Sequence, residues 1–286
     1  MPTWSPYASG RAEHTVSGTV LVCPDVYSSQ LDNARDIFVY LPPSYASSSR
    51  RYPVIYMQDG QNVFDAVSSF AGEWHVDETF EELHDEGLEA AVVAIPNIGD
   101  ARITEYNPYT STRFGAARGD DYVRFICNTL KPMIDAEFRT LPGSDSTAIA
   151  GSSMGGLISL YAWLAYPQVF GLGAAMSPAL WIARGAALEH AGRAPLNVGR
   201  LYLDIGGKEL PRRFSKYVNG MNDAVQGVYD RLRGRGIPES RLMLVRDKHG
   251  EHNEESWARR FPDAIRFLLG GGVTPQSTAE GRDRAP

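Results

Sequence analysis

Cysteine is scarce in this chain, with only Cys23 and Cys127 among 286 residues. Cys23 lies in an apolar run and Cys127 in a helical pattern, so we expect both to be buried free thiols. Two cysteines at this spacing predict neither a disulfide framework nor a set of metal ligands. We therefore expect a protein without a structural metal.

Long hydrophobic runs and an excess of positive charge are also missing. No apolar stretch approaches the roughly 20 residues of a membrane span, and residues 1–10 lack the basic and apolar segments of a secretory signal. The formal net charge is -6, whereas non-specific binding of nucleic acid needs a basic surface. These absences predict a cytoplasmic protein that binds neither membranes nor nucleic acid.

The overall composition is typical of a globular protein, with 43% hydrophobic and 22% charged residues. Residues 14–269 carry the pattern of one domain, and we find no internal repeats. Residues 1–13 are polar and are expected to be loose. Residues 270–286 are rich in glycine, proline and charge, so we expect disorder there.

Short apolar runs alternate with helical patterns along the domain. Residues 14–22 and 35–41 alternate as strands do and predict an antiparallel start of a sheet, joined by a turn-rich connection over residues 24–33. Continuous apolar runs predict six strands buried on both faces of a parallel sheet: residues 53–57, 91–95, 147–150, 172–176, 201–205 and 241–246. The order predicts an α/β fold with helices on both faces of a mostly parallel sheet. Ligands bind such sheets beyond the carboxyl ends of the strands.

A Gly-x-Ser-x-Gly turn, formed by Gly151, Ser153 and Gly155, follows the third of these runs. A helical pattern leaves the turn, and this strand–turn–helix context is typical of a nucleophile elbow. The motif predicts Ser153 as a nucleophile and the backbone amide of Met154 as an oxyanion donor. Because the motif arises by chance about 0.1–0.2 times in a chain of this length, the prediction depends on finding its partners.

The candidate base is a histidine that follows the nucleophile along the chain. His190, His249 and His252 meet that condition, and the last two come directly after the final predicted strand. His252 is favoured because it stands at the end of the loop, just before the final helix. We interpret His249 as a solvated loop residue.

The candidate acid should follow the preceding strand, and Glu209 does so on a turn flanked by glycines. Asp204, which is still inside the strand pattern, and Asp247 remain alternatives. The second oxyanion donor should lie after an early strand, where the backbone amide of Gln61 is our candidate. The alternative for that segment is an ordinary turn in which Asp59 caps a helix.

Taken together, these motifs resemble the putative-esterase, or esterase D-like, branch of the α/β-hydrolases. That family includes siderophore esterases, feruloyl esterases of carbohydrate esterase family 1 and antigen 85-type mycolyltransferases. The similar segments are residues 52–64, 72–74, 102–108, 151–156, 177–181 and 251–257. Gln58 departs from the family pattern, which commonly has histidine there, and Glu209 stands where many members have aspartate.

The resemblance covers about residues 14–269 and implies an α/β-hydrolase fold. It implies a serine carboxylesterase that needs no cofactor and acts on a small-molecule ester, with Ser153 as nucleophile, His252 as base and Glu209 as acid. An acyltransferase with an alcohol acceptor, or a non-catalytic binding protein on the same fold, are the alternatives.

Several polar and aromatic side chains are candidates for contact with substrate: Asp59, Trp74, Arg102, Glu105, Tyr106, Arg113 and Trp181. Most lie in the loop region of residues 96–119, which we expect to face the site. An internal Arg–Glu pair that holds this loop is the alternative for the charged ones. For Trp257 we expect packing in the core.

Overall fold

The computed structural model describes residues 2–7, 13–110, 116–182, 185–210 and 218–271. Within these ranges one nine-stranded sheet has the order β1-β2-β3-β5-β4-β6-β7-β8-β9. The strands are β1 Ser5–Pro6, β2 Thr19–Ser28, β3 Asn33–Leu41, β4 Val54–Gln58, β5 Ala91–Ile95, β6 Thr147–Ser152, β7 Leu172–Met176, β8 Arg200–Lys208 and β9 Leu242–Glu251. All pairs from β5 through β4 to β9 are parallel, whereas β1, β2 and β3 add an antiparallel edge. The predicted α/β class and mostly parallel sheet are confirmed.

The turn-rich connection predicted over residues 24–33 is wrong. Strand β2 continues through Pro24 to Ser28, with a register shift between Cys23 and Val26. Proline cannot donate to a strand partner, so it is tolerated where a bulge interrupts the ladder. The turn itself is confined to the few residues before β3, which starts at Asn33.

The described ranges contain eight α-helices, of which the last follows the final strand. They are α1 Val76–His84, α2 Arg102–Glu105, α3 Gly119–Phe125, α4 Lys131–Glu137, α5 Met154–Ala165, α6 Ala186–Arg193, α7 Val218–Gly234 and α8 Glu254–Leu269. The single helix predicted over residues 121–138 consists of α3 and α4, joined by a π-helical turn at Ile126–Leu130. Pro132 lies just beyond that turn. A proline ring clashes with the carbonyl four residues earlier, and a wider turn relieves the clash.

The sheet separates two hydrophobic cores. Tyr56 and Ile149 pack into the first core, against α3 to α7, whereas Ile55 and Ala148 face the second, against α1 and α8. Strands covered on both faces have no polar side to display, which explains the continuous apolar runs. Because both faces of the sheet are covered, polar side chains can meet at the carboxyl edge of the parallel strands.

Several predictions concern residues outside the described ranges. Arg113 is one of them, and so are residues 8–12 of the segment expected to be loose and residues 272–286 of the tail expected to be disordered. Cys23 is a buried free thiol, as predicted, while Cys127 is only partly buried. No helix of the described residues is both long enough and apolar enough to cross a membrane.

Candidate active site

Ser153 occupies a sharp turn between β6 and α5. Its φ is 55° and its ψ is -119°, a combination that costs energy for a residue with a β carbon. Neighbouring backbone holds the turn, since the Ser153 N–H donates to the Met176 carbonyl at 3.0 Å and the Ser153 carbonyl accepts from Ala179 at 2.8 Å. The strain is therefore supported by the segment that follows β7, and it places the serine at the carboxyl edge of the sheet.

The glycines around Ser153 are required by close packing against the end of β4. A β carbon at Gly151 would lie 2.8 Å from Gln58 Cγ, and one at Gly155 would lie 2.9 Å from Gln58 Cβ. Both distances are shorter than real contacts of a β carbon. Gln58 therefore sits between the two glycines, with its side chain 3% exposed and accepting a hydrogen bond from Tyr122.

The turn after β9 and the end of β8 bring two further side chains to Ser153. His252 Nε2 lies 2.9 Å from Ser153 Oγ, and His252 Nδ1 lies 2.5 Å from Glu209 Oε2. His252 directly follows β9, and Glu209 directly follows β8. Three residues separated by as many as 99 positions thus form one continuous line of hydrogen bonds.

The carboxyl group of Glu209 is buried and held by several donors. Its Oε1 accepts from Ser177 Oγ at 2.6 Å and from the Gly206 amide at 2.5 Å. Burial raises the pKa of Glu209, but the hydrogen bonds from His252 and Ser177 outweigh that effect, and the pKa is lowered from its usual value. The folded protein therefore favours the carboxylate.

The other candidate acids are engaged by arginines. Asp204 is fully buried and binds Arg260 through Oδ2 at 2.8 Å and Oδ1 at 3.2 Å. Asp247 accepts from Arg259 at 2.7 Å. Neither carboxylate has a hydrogen bond to His252 in the described residues, so the geometry favours Glu209 over both.

His249 lies apart from the serine. It belongs to β9, which extends to Glu251, farther than the strand predicted to end at residue 246. Its side chain is exposed, and its backbone amide donates to Asp247. The residue is solvated, as expected, but on a strand and not in a loop.

The two backbone amides predicted as oxyanion donors belong to Met154 and Gln61. Met154 is the first residue of α5, where amides have no acceptor within the helix. Gln61 lies in the short turn Gly60–Asn62 after β4, and its side chain accepts from the Asn97 amide at 3.2 Å. A β carbon at Gly60 would lie 2.5 Å from the Ile95 nitrogen, so this turn is packed tightly onto β5 and held in place.

Asp59, which precedes that turn, does not cap it. Its carboxylate binds Arg102 through two contacts of 2.7 Å each and accepts from Asn97 at 2.7 Å. Arg102 also stacks on the Tyr106 ring, 5.3 Å from its centroid. Paired and stacked in this way, the guanidinium is a fixed polar group on the wall of a cleft.

That cleft has a volume of about 670 Å³ and contains Ser153. Its wall includes Asp59, Gln61, Asn62, Phe70, Ala71, Asn97, Gly99, Asp100, Arg102, Ser152, Ser153, His252, Glu254 and Trp257. Phe70 is 92% exposed at the rim. Glu254, by contrast, is buried, and burial raises the pKa of its carboxyl group.

Four described residues that were expected to contact substrate do not line the cleft: Trp74, Glu105, Tyr106 and Trp181. Trp74 is 4% exposed and packs on Trp257. Glu105 forms a buried ion pair with Arg35 at 2.9 Å, which is the internal pair considered as the alternative for this loop, although with a different arginine. Tyr106 is fully buried. The expectation that Trp74, Glu105 and Tyr106 contact substrate is corrected, because all three side chains are buried inside the fold.

The two other tryptophans lie beside the histidine. Trp181 is 45% exposed, and its ring lies 5.8 Å from that of His252. Trp257 is buried, as expected, but it also forms part of the cleft wall. Its indole nitrogen donates to Ser177 Oγ at 3.1 Å.

Sequence reasoning assigned no role to Ser177 or Arg260. Both contact groups of the site, since Ser177 donates to Glu209 and Arg260 Nη2 donates to Ser177 Oγ at 3.2 Å. The one available signal was position, because Ser177 directly follows β7 at the carboxyl edge of the sheet.

One group of side chains in the described ranges has the spacing of metal ligands. Glu73, His75 and Glu78 place their ligand atoms within 4.8 Å of one another. None of the three lines the cleft that contains Ser153.

Most of the chain is similar to one known protein family. Residues 28–268 match the family model described as "Putative esterase". The chain belongs to this family. As a member of this esterase family it is a carboxylic ester hydrolase.

Individual relatives are distant in sequence. The uncharacterized protein YbbA of Bacillus subtilis (strain 168) is 28% identical over 243 residues, which cover 82% of this chain and 93% of the relative. Siderophore hydrolase EstA from Aspergillus nidulans has a TM-score of 0.69 at 20% identity, with 92% of this chain and 98% of that chain covered. A ferulic acid esterase has a TM-score of 0.65 at 19% identity, with 88% and 98% covered. The two solved structures show that the fold is shared.

Proposed function

We propose that this esterase hydrolyses small-molecule carboxylic esters through an acyl-enzyme intermediate, with Ser153, His252 and Glu209 as its catalytic triad. The observation that carries the proposal is the line of hydrogen bonds from Ser153 Oγ to His252 Nε2 at 2.9 Å and from His252 Nδ1 to Glu209 Oε2 at 2.5 Å. A serine hydroxyl becomes a competent nucleophile only when such a base accepts its proton.

The ionised Glu209 fixes the protonation of the histidine. A carboxylate can only accept, so His252 Nδ1 carries the hydrogen and Nε2 is left to accept from Ser153. When Ser153 attacks the ester carbonyl, its proton moves to Nε2 and the resulting imidazolium is stabilised by Glu209. His252 then gives that proton to the oxygen of the departing alcohol, and the acyl group stays on Ser153.

Deacylation uses the same groups in the reverse order. A water molecule attacks the acyl carbonyl while His252 takes one of its protons. The tetrahedral intermediate collapses, Ser153 leaves and recovers its proton from His252, and the acid product is released. The proton that left with the alcohol is thus replaced by one from water, and the triad returns to its starting state.

The negative charge of each tetrahedral intermediate needs fixed donors. We propose that the backbone amides of Met154 and Gln61 supply them, the first from the start of α5 and the second from the tight turn after β4. Amides held by the fold need no reorganisation when the charge develops, and removing one such donor typically costs about 100- to 1000-fold in kcat.

The cleft supports an ester that carries both aromatic and polar groups. Its volume, about 670 Å³, lies within the roughly 300–1000 Å³ of small-molecule sites. Phe70 and Trp257 offer apolar surface, while Arg102 and Asn97 offer donors. A siderophore hydrolase and a ferulic acid esterase share the fold, so we propose esters of aromatic acids as the first substrates to test.

Turnover of a short p-nitrophenyl ester tests the proposal. Wild-type protein should release p-nitrophenol, and Ser153→Ala should lose about three to six orders of magnitude in kcat. Ser47→Ala, which changes an exposed serine, is the matched control and should behave as the wild type. Equal turnover by Ser153→Ala would remove Ser153 from the mechanism.

A further inference from the structure

We propose that Arg260 is a positioning residue that aligns the carboxylate of Glu209 through the hydroxyl of Ser177. The inference deepens the proposed function and rests on it, because it assumes that Glu209 serves His252. It concerns three buried side chains, since Ser177 is fully buried, Glu209 is 2% exposed and Arg260 is 5% exposed.

The chemistry of its neighbours fixes the direction of the Ser177 hydroxyl. Arg260 Nη2 lies 3.2 Å and Trp257 Nε1 lies 3.1 Å from Ser177 Oγ. Guanidinium and indole groups can only donate, so the oxygen of Ser177 accepts from both. Its single hydrogen is then left for Glu209 Oε1, which is 2.6 Å away.

Asp204 holds the opposite end of this arrangement. It binds the Arg260 guanidinium through both of its oxygens, at 2.8 and 3.2 Å, and it accepts from the Ser177 amide at 2.8 Å. Ser177 has a φ of 40°, a left-handed conformation that persists only where the surroundings impose it. Asp204 therefore fixes both the backbone of Ser177 and the guanidinium that contacts its hydroxyl.

Trp257 connects the same hydroxyl to the base. Its ring packs edge-on against the His252 ring, with centroids 5.0 Å apart, while its nitrogen donates to Ser177. The Ser177 hydroxyl thus contacts the acid, Glu209, directly and the base, His252, through the Trp257 ring. This gives Asp204 a role in place of acid catalysis, and it explains why a buried Arg–Asp pair, which costs desolvation energy, stands next to the site.

Steady-state kinetics on a p-nitrophenyl ester tests the proposal with two variants. Ser177→Ala removes the hydroxyl, and Arg260→Lys keeps a positive charge for Asp204 but loses the planar fork that also reaches Ser177. Each should lower kcat by roughly 10- to 100-fold, because small misplacements of catalytic groups cost this much, while KM changes by less than about two-fold. The matched control is Arg259→Lys, which alters the adjacent arginine bound to Asp247 and should leave kcat unchanged.

The double variant separates alignment from general structural damage. If both residues act along one path, Ser177→Ala with Arg260→Lys should be no slower than the slower single variant. Losses that multiply would show independent effects and overturn the proposal, as would wild-type kcat in a folded Ser177→Ala. Should that variant fail to fold, Arg260→Lys alone tests the same contact, and an unchanged kcat would contradict it.

Glu209→Gln distinguishes this inference from the proposed function. Suppose that Glu209→Gln lowers kcat by about four orders of magnitude while Ser177→Ala has the kcat of the wild type. The proposed triad is then supported, and the proposed role of Arg260 and Ser177 in positioning Glu209 is contradicted. If Glu209→Gln retains wild-type activity, the assignment of Glu209 itself fails, and the positioning path fails with it.

Discussion

At the scale of single residues, the site depends on how one carboxylate is kept ionised inside the protein. Glu209 is buried, which opposes ionisation, yet donors from His252, Ser177 and Gly206 surround it. Asp204, the alternative acid, is bound by Arg260 instead, and burial raises the pKa of its carboxyl group. Two buried carboxylates thus have different partners, and of the two it is Glu209 that lies within hydrogen-bonding distance of His252.

This ionisation should make the stability of the fold depend on pH. Burial raises the pKa of Glu209 and the surrounding hydrogen bonds lower it, with a net decrease from the usual value of 4.5. A pKa that is lower in the folded state stabilises the fold above the unfolded value, and this stabilisation is lost as the pH falls through the folded value. Glu209→Gln lacks this contribution.

Urea denaturation of both proteins between about pH 6 and about pH 3 measures the effect. The difference in unfolding free energy between wild type and Glu209→Gln should shrink as the pH falls. A difference that stays constant or grows on acidification would show that Glu209 is not held as a stabilised carboxylate.

At the scale of secondary-structure elements, the turn that holds Ser153 depends on how closely β4 approaches the start of α5. Gly155 allows that approach, because a β carbon there would lie 2.9 Å from Gln58 Cβ and 3.3 Å from Asp59 Oδ2. Gln58 Cβ is attached directly to the backbone, and Asp59 Oδ2 is held by Arg102 at 2.7 Å, so neither atom can simply move aside. The end of β4 carries the turn with Gln61, so a shift there also moves the proposed oxyanion donor.

Gly155→Ala should therefore reduce both stability and kcat. Overpacking of this kind costs about 1–3 kcal/mol, which differential scanning calorimetry would detect as a lower Tm. The control is Gly220→Ala in α7, where no atom lies within 4 Å of the added β carbon. That change replaces a helical glycine by a better helix former, so it should leave the Tm unchanged or raise it. A Gly155→Ala protein with the Tm and kcat of the wild type would contradict the packing argument.

At the scale of the whole molecule, the sheet was predictable because it is covered on both faces. Each of the six continuous apolar runs corresponds to one of the strands β4 to β9. Every residue of β4 to β7 is buried, and a strand buried on both sides must be apolar throughout. The edge strand β9, predicted to be buried on both faces, is only partly buried. Chain order then predicted Ser153, Glu209 and His252 as partners, because parallel strands end at one edge. The structure brings these three side chains within hydrogen-bonding distance.

Local patterns could not predict what depends on contacts between distant segments. The antiparallel edge was misjudged at Pro24, where a bulge lets the strand continue. Trp74, Glu105 and Tyr106 were expected in the cleft, but their polar or aromatic character says nothing about the direction in which a loop folds. The path from Arg260 to Ser177 joins residues 83 positions apart, and it exists only because β7, β8 and α8 pack side by side.

A covalent acyl group on Ser153 is the central feature of the proposed mechanism. Mass spectrometry of a rapidly quenched reaction tests for this acyl group most directly. With a p-nitrophenyl ester of an aromatic acid in excess, wild-type protein should gain the mass of one acyl group. Peptide mapping should place that group on Ser153, next to an unmodified Ser152, and Ser153→Ala should gain no mass. An acyl group found on any other residue of a protein that turns the ester over would contradict the account.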